Sequence, residues 1–213
     1  MFLSIAKFEF GYQTRNPVFW VAAILFFLLA FGSIASDNVQ IGSGGNVLAN
    51  SAYAISLGHS ALTTFYIFVT TAFVANVVVR DDDTKFGPIV RSTRITKFDY
   101  VLGRFSGAFA AAALAYLSVP LGFLIGSAMP WLDPETIGPT PLSAYAYAYG
   151  VLALPTIFMM SAIFFALATA TRSMMTTYIG VVVFLVLYFL ANDALSDRPD
   201  LETMSALADP FGI

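Results

Sequence analysis

Long apolar stretches separated by short polar ones dominate the chain. Five segments hold the roughly 20 mostly apolar residues that a helix needs to cross a bilayer core: 17–36, 58–79, 104–129, 142–170 and 173–191. The pattern predicts an all-α, polytopic bundle of transmembrane helices. Asn16-Pro17 marks a helix start, a cap residue followed by Pro in the first turn. The fourth segment exceeds one span, which predicts tilt, a kink at Pro155 or an interfacial first turn. Residues 1–16 precede the first span and read as an interfacial helix. Its apolar face, Phe2, Ile5, Phe8 and Tyr12, is interrupted by Glu9. Read instead as a secretory signal, residues 1–35 offer a basic stretch, an apolar run and the small residues Ser33 and Ala35. The length and aromatic content of the leading segment favour the interfacial helix.

Composition agrees. Of 213 residues, 58% are hydrophobic and 11% charged, against about a quarter charged in soluble domains. An ordinary water-soluble enzyme, a nucleic-acid binder and a disordered chain are excluded. With no Cys and one His, a disulfide framework, a thiolate nucleophile and a His cluster are excluded too. The chain lacks GxSxG, HExxH and a GxxxxGK[ST] phosphate loop. Ile41–Gly45 (IGSGG) has no strand before it and no Lys after it, so it reads as a flexible loop. The chain is therefore expected to bind no cofactor and to carry no catalytic site.

Charge placement sets the topology. With the N-terminus inside, Lys7, Arg15, Arg80, Lys85, Arg91, Arg94, Lys97, Arg104 and Arg172 are cytoplasmic, nine of the ten basic residues. Arg198 alone lies outside. This positive-inside bias predicts a plasma-membrane protein whose segment 193–213 is extracytoplasmic. Trp20, Trp131, Tyr53 and the row Tyr145, Tyr147 and Tyr149 fall near span ends and read as an interfacial belt. His59 reads as an interfacial or capping residue at the outer start of the second span. No Asp, Glu, Lys or Arg falls inside the apolar cores, which argues against a proton relay or voltage sensor. The hydroxyls of Thr63, Thr64, Thr70, Thr71, Thr169, Thr176 and Thr177, with Asn76, are expected to bond their own helices.

Small residues recur at close-packing spacing: Gly103, Gly107, Ala111 and Ala115, then Gly122 and Gly126, then Ala162, Ala166 and Ala170. They predict tight helix contacts within a bundle or across a dimer face. Pro120 and Pro155 lie mid-span and predict kinks or hinges. Asp81, Asp82 and Asp83 read as a solvated turn paired with Arg80, Lys85 and Arg91 rather than as a metal site.

Six of the ten basic residues fall within the loop 80–104. Phe86, Ile89, Val90 and Thr93 are spaced for one face of a short helix, with Arg91, Arg94 and Lys97 around it. Such a helix suits anionic lipid or a groove on a partner protein. The acidic cluster after the second span, then F-G-x-I-x-R-S-T, a basic helix and D-Y-x-x-G-R-F-x-G-A resemble the corresponding region of type-2 (exporter) ABC transporter permeases. K-F-E-F at Lys7–Phe10, R-N-P-x-F-W at Arg15–Trp20 and N-S-A-Y-A-I at Asn50–Ile55 fit the same resemblance. It implies an interfacial connecting helix at 1–16 and a coupling helix at roughly Thr84–Lys97 within the loop 80–103. Phe86, Ile89, Val90, Arg91, Arg94 and Lys97 would dock on a separate ATPase subunit that holds ATP and Mg. A second permease copy or half and membrane lipids would be the other partners. Permeases of this family carry six spans, so the resemblance implies that the last is missing here. The closing A-D-P-F-G is similar to a stretch in large bacterial permeases fused to a zinc aminopeptidase-like domain. The alternative is a membrane scaffold or signal transmitter that uses the same loop without transport.

Overall fold

The computed structural model describes residues 1–36, 47–84, 95–196 and 209–211. The described residues form an all-α structure: α1 (Phe2–Arg15), α2 (Pro17–Ala35), α3 (Ala52–Asp83), α4 (Lys97–Tyr116), α5 (Ser118–Gly126), α6 (Leu142–Tyr147), a π-helical segment (Ala148–Ala153), α7 (Leu154–Thr171) and α8 (Met174–Ser196). Five stretches are long and apolar enough to cross a membrane: Pro17–Ala35, Ala52–Asp81, Lys97–Gly126, Leu142–Thr171 and Met174–Leu195. The chain is a multi-pass membrane protein.

The spans depart from the hydropathy pattern at their ends. α3 starts at Ala52 rather than near position 58, because Ser51 caps it, its Oγ accepting the Ala54 N–H at 3.2 Å. It runs on to Asp83, so Asp81 is helical and not in a turn. α4 starts at Lys97 rather than Arg104. Thr96 Oγ1 accepts the Asp99 N–H at 3.1 Å, and an acidic residue in the first turn favours the helix dipole.

The third span is two helices, broken at Leu117. Pro120 lacks the N–H that would bond to the Tyr116 carbonyl, so the α ladder fails one turn before it. The fourth span departs from α geometry in the π segment directly before Pro155, which has no N–H for Val151. A π turn is a recognised way to absorb such a mismatch. Arg172, in the turn before α8, is in the left-handed region at φ 53°, a strained position for a side chain with a Cβ.

The chain divides into two compact units, and α3, α4 and α7 contribute to both. The first comprises residues 1–16, 67–112 and 157–210. Its core includes Phe73, Val74, Ala108, Ile157, Met160 and Phe164. α8 turns Met175, Ile179, Val182, Val186 and Leu190 outward, an apolar stripe suited to lipid. Gly180 admits the Leu167 side chain, which lies 2.4 Å from where a Cβ would stand.

The second unit comprises residues 17–66, 113–156 and 211–213. Here α2 packs on α5. A Cβ at Gly122 would stand 2.6 Å from the Phe27 carbonyl oxygen, and one at Gly126 3.0 Å from that of Phe31. Ala49 N–H donates to the Thr136 carbonyl at 2.9 Å. The buried Asn50 side chain donates to the Gly138 carbonyl at 2.7 Å and accepts its N–H at 2.8 Å. Asn50 thus pairs with a backbone as a neighbouring strand would.

Candidate functional site

In α1 the polar pair Glu9 and Gln13, one turn apart, is fully buried, while Leu3, Phe8 and Tyr12 face outward. This reverses the polarity of a helix in a water-soluble bundle. Glu9 therefore does not spoil an amphipathic face; it defines the inward one. Two glycines of α4 make room for α1. A Cβ at Gly103 would stand 2.9 Å from Ile5 Cβ, and one at Gly107 2.6 Å from the Ala6 carbonyl oxygen. With the backbones this close, the side chain of Arg104, between those glycines, reaches Glu9.

Glu9 is the centre of a charged cluster. Its Oε2 accepts from Arg80 Nη2 at 2.7 Å and from Arg104 Nη1, and its Oε1 accepts from Gln13 Nε2 at 3.0 Å. Gln13 Nε2 also donates to the Phe73 carbonyl at 3.2 Å. Arg104 Nη2 donates to Asp81 Oδ1 at 2.6 Å, and the Tyr100 hydroxyl donates to Asp81 Oδ2. The Arg80 guanidinium lies 3.9 Å from the Tyr12 ring centre, a cation–π contact. Two cations meet two carboxylates, so the cluster is neutral. Its geometry joins α1 to the end of α3 and the start of α4, the two helices that flank the basic loop. Asp81 thus pairs with Arg104, 23 positions along the chain.

Of the predicted coupling residues, Phe86, Ile89, Val90, Arg91 and Arg94 lie outside the described residues, as do Lys85, Ile41–Gly45 and 197–208. Lys97 is exposed at the first turn of α4. Gly103, Gly107, Gly122 and Gly126 all receive helices of this same chain. Among the described residues no cluster of His, Asp or Glu could hold a metal ion.

A second polar cluster lies in the other unit. His59 is fully buried in the second turn of α3, its Nδ1 2.9 Å from the Ile55 carbonyl oxygen, so it faces into the protein and does not cap the helix. The Tyr116 hydroxyl donates to the His59 carbonyl at 3.0 Å and lies 2.6 Å from Thr63 Oγ1, which donates to the same carbonyl at 2.7 Å. Tyr66 and Phe123 enclose the group. The tyrosine row divides: Tyr145 is buried, Tyr147 is exposed, and half-buried Tyr149 donates to the Ala113 carbonyl at 2.9 Å. Of the three, only Tyr147 is exposed. Of the span hydroxyls, Thr63, Thr64, Thr169 and Thr177 bond carbonyls four residues back in their own helices.

Fold and cluster together define a class: an all-α, multi-pass membrane protein with a buried ionic clasp at the ends of two spans. Comparison goes no further, since the chain matches no protein-family model, no curated protein and no solved structure.

Proposed function

We propose that the chain is the membrane-spanning permease part of an ATP-driven exporter. In this reading, the basic stretch between α3 and α4 docks on a separate ATPase that holds ATP and Mg, and a second permease copy or half completes the transport path. The N-terminus and the loop are cytoplasmic in the plasma membrane, on the strength of the basic-residue bias, and α1 lies at the interface. The observation that carries this reading is the ionic clasp. A push on the loop reaches α3 and α4 together, and both are tied to α1 through Glu9. Ion-paired, closely packed helices move as a body rather than bend singly. The reading also takes its support from the resemblance of the loop and its flanks to type-2 permeases.

A photo-crosslinker at Ile89 in native membranes tests the partner, and flux in vesicles with the captured ATPase tests transport. With no crosslinker in the chain and capture read as co-purification of the ATPase, Ile89→Asp with Val90→Asp is expected to cut ATPase capture at least tenfold, since charged groups replace two docking residues worth about 1.4 kcal/mol or more together. The chain itself should remain in the membrane. Capture that is unchanged by both substitutions contradicts the docking assignment. Capture without flux makes the chain a scaffold.

A further inference from the structure

Two helix irregularities in the unit formed by residues 17–66, 113–156 and 211–213 are joined by one hydrogen bond. α4 ends at Tyr116, and the Leu117 N–H closes on the Leu114 carbonyl, three residues back, at 3.2 Å. Ala113, four residues back, has the carbonyl that a regular α-helix would pair with that N–H. It accepts the Tyr149 hydroxyl at 2.9 Å. Tyr149 lies within the π segment Ala148–Ala153, and its ring stacks on Tyr116 with centroids 6.4 Å apart. The tyrosine that caps one break thus comes from the other.

A backbone carbonyl within a membrane span needs a partner, because water is not there to supply one. Ala113 has two within its reach, and they belong to different helix geometries. A π turn carries one residue more than an α turn. When it reverts, the segment on its N-terminal side rotates by about 100°, which takes Tyr149 off Ala113. Leu117 N–H can then close on Ala113 and extend the α ladder by one bond, up to the gap that Pro120 leaves at the Tyr116 carbonyl.

We propose that Tyr149, the π segment and the Leu117 break form a two-position latch that exchanges the partner of the Ala113 carbonyl between the Tyr149 hydroxyl and the Leu117 N–H. In either position the carbonyl is bonded, so the chain passes between two discrete arrangements without a lasting buried orphan. Pro120 and Pro155 hold the irregularities in place along the sequence. The latch goes beyond the transport reading and stands without it; in a transporter it is a moving part of the permease.

The test uses the full chain in lipid nanodiscs. The chain has no cysteine, so spin labels at Tyr147→Cys and Leu121→Cys, both outward-facing positions of this unit, report one distance. Tyr149→Phe removes one bond and is expected to shift the ratio of two distance populations about fivefold, the effect of one net hydrogen bond. Tyr53→Phe, at an exposed position, is the control and is expected to leave the ratio unchanged. Hydrogen exchange on the unsubstituted chain reads the same motion without a variant. The Leu117 amide and those of Gly150–Leu154 should open together, at rates within about twofold, as one cooperative unit. An unchanged distance distribution in Tyr149→Phe, or independent opening of the two regions, overturns the latch.

Discussion

In one unit, a carboxylate with no exposed surface meets two guanidiniums, and a second carboxylate closes the network through Arg104 and Tyr100. In the other, a buried tyrosine and a buried threonine share one backbone carbonyl, and the only histidine bonds a carbonyl of its own helix. The first cluster joins three helices by charge and the second joins two by neutral groups. The difference shows where charge is tolerated in such a chain. Charges cost least at span ends and when fully paired. Glu9 belongs to α1, Arg80 and Asp81 close their span, and Arg104, two turns into its own, is fully paired. The hydroxyl cluster lies within spans, where only neutral groups with local acceptors are cheap.

This contrast predicts unequal effects of small changes. Glu9→Gln keeps the side chain's shape but leaves the buried Arg104 and the half-buried Arg80 guanidinium short of a counter-charge. It is expected to cost about 3–5 kcal/mol of stability, read as loss of monodisperse protein on heating in detergent. Glycine substitutions come next. Gly107→Ala puts a Cβ against the Ala6 carbonyl, and is expected to destabilise by about 1–3 kcal/mol. Gly11→Ala in α1 meets nothing within 4 Å and should stabilise by about 0.5–1 kcal/mol through helix propensity. If the two alanines shift thermal stability in the same direction, the close approach of α1 to α4 is wrong. Tyr116→Phe is the smaller loss, about 1 kcal/mol, because the Thr63 hydroxyl keeps the His59 carbonyl bonded. A loss as large as that of Glu9→Gln would erase the distinction between the clusters.

The five spans were legible because hydropathy over 20 residues is a strong local signal. Their ends were less so, since hydropathy alone sets a boundary at the first run of apolar residues and passes over the caps Ser51 and Thr96. Pro120 and Pro155 marked the irregular turns, but not whether each would be a break or a π segment. Hydropathy begins the second span near Gly58 and so sets His59 at its edge, whereas α3 begins at Ala52 and carries His59 in its second turn. The ionic cluster was hidden by distance along the chain: Glu9 pairs with residues 71 and 95 positions away. One local sign of it was present. Glu9 and Gln13 form the only polar pair at helical spacing on the face of α1 that also carries Ile5 and Phe2. A helix beside a bilayer turns such a pair inward. The glycines flanking Arg104 were read as a packing stripe, and their second role, bringing that guanidinium within reach of Glu9, needs the partner helix to be known.

Glu9 and Arg104 clasp α1 to the helices beside the basic loop. A double-mutant cycle with Glu9→Gln and Arg104→Met, followed by thermal or denaturant unfolding of the full chain in one detergent, tests it most directly. The clasp predicts a coupling energy of about 2–3 kcal/mol, with the double variant far less damaged than the sum of the single ones. Additive losses, within about 0.5 kcal/mol, would contradict it.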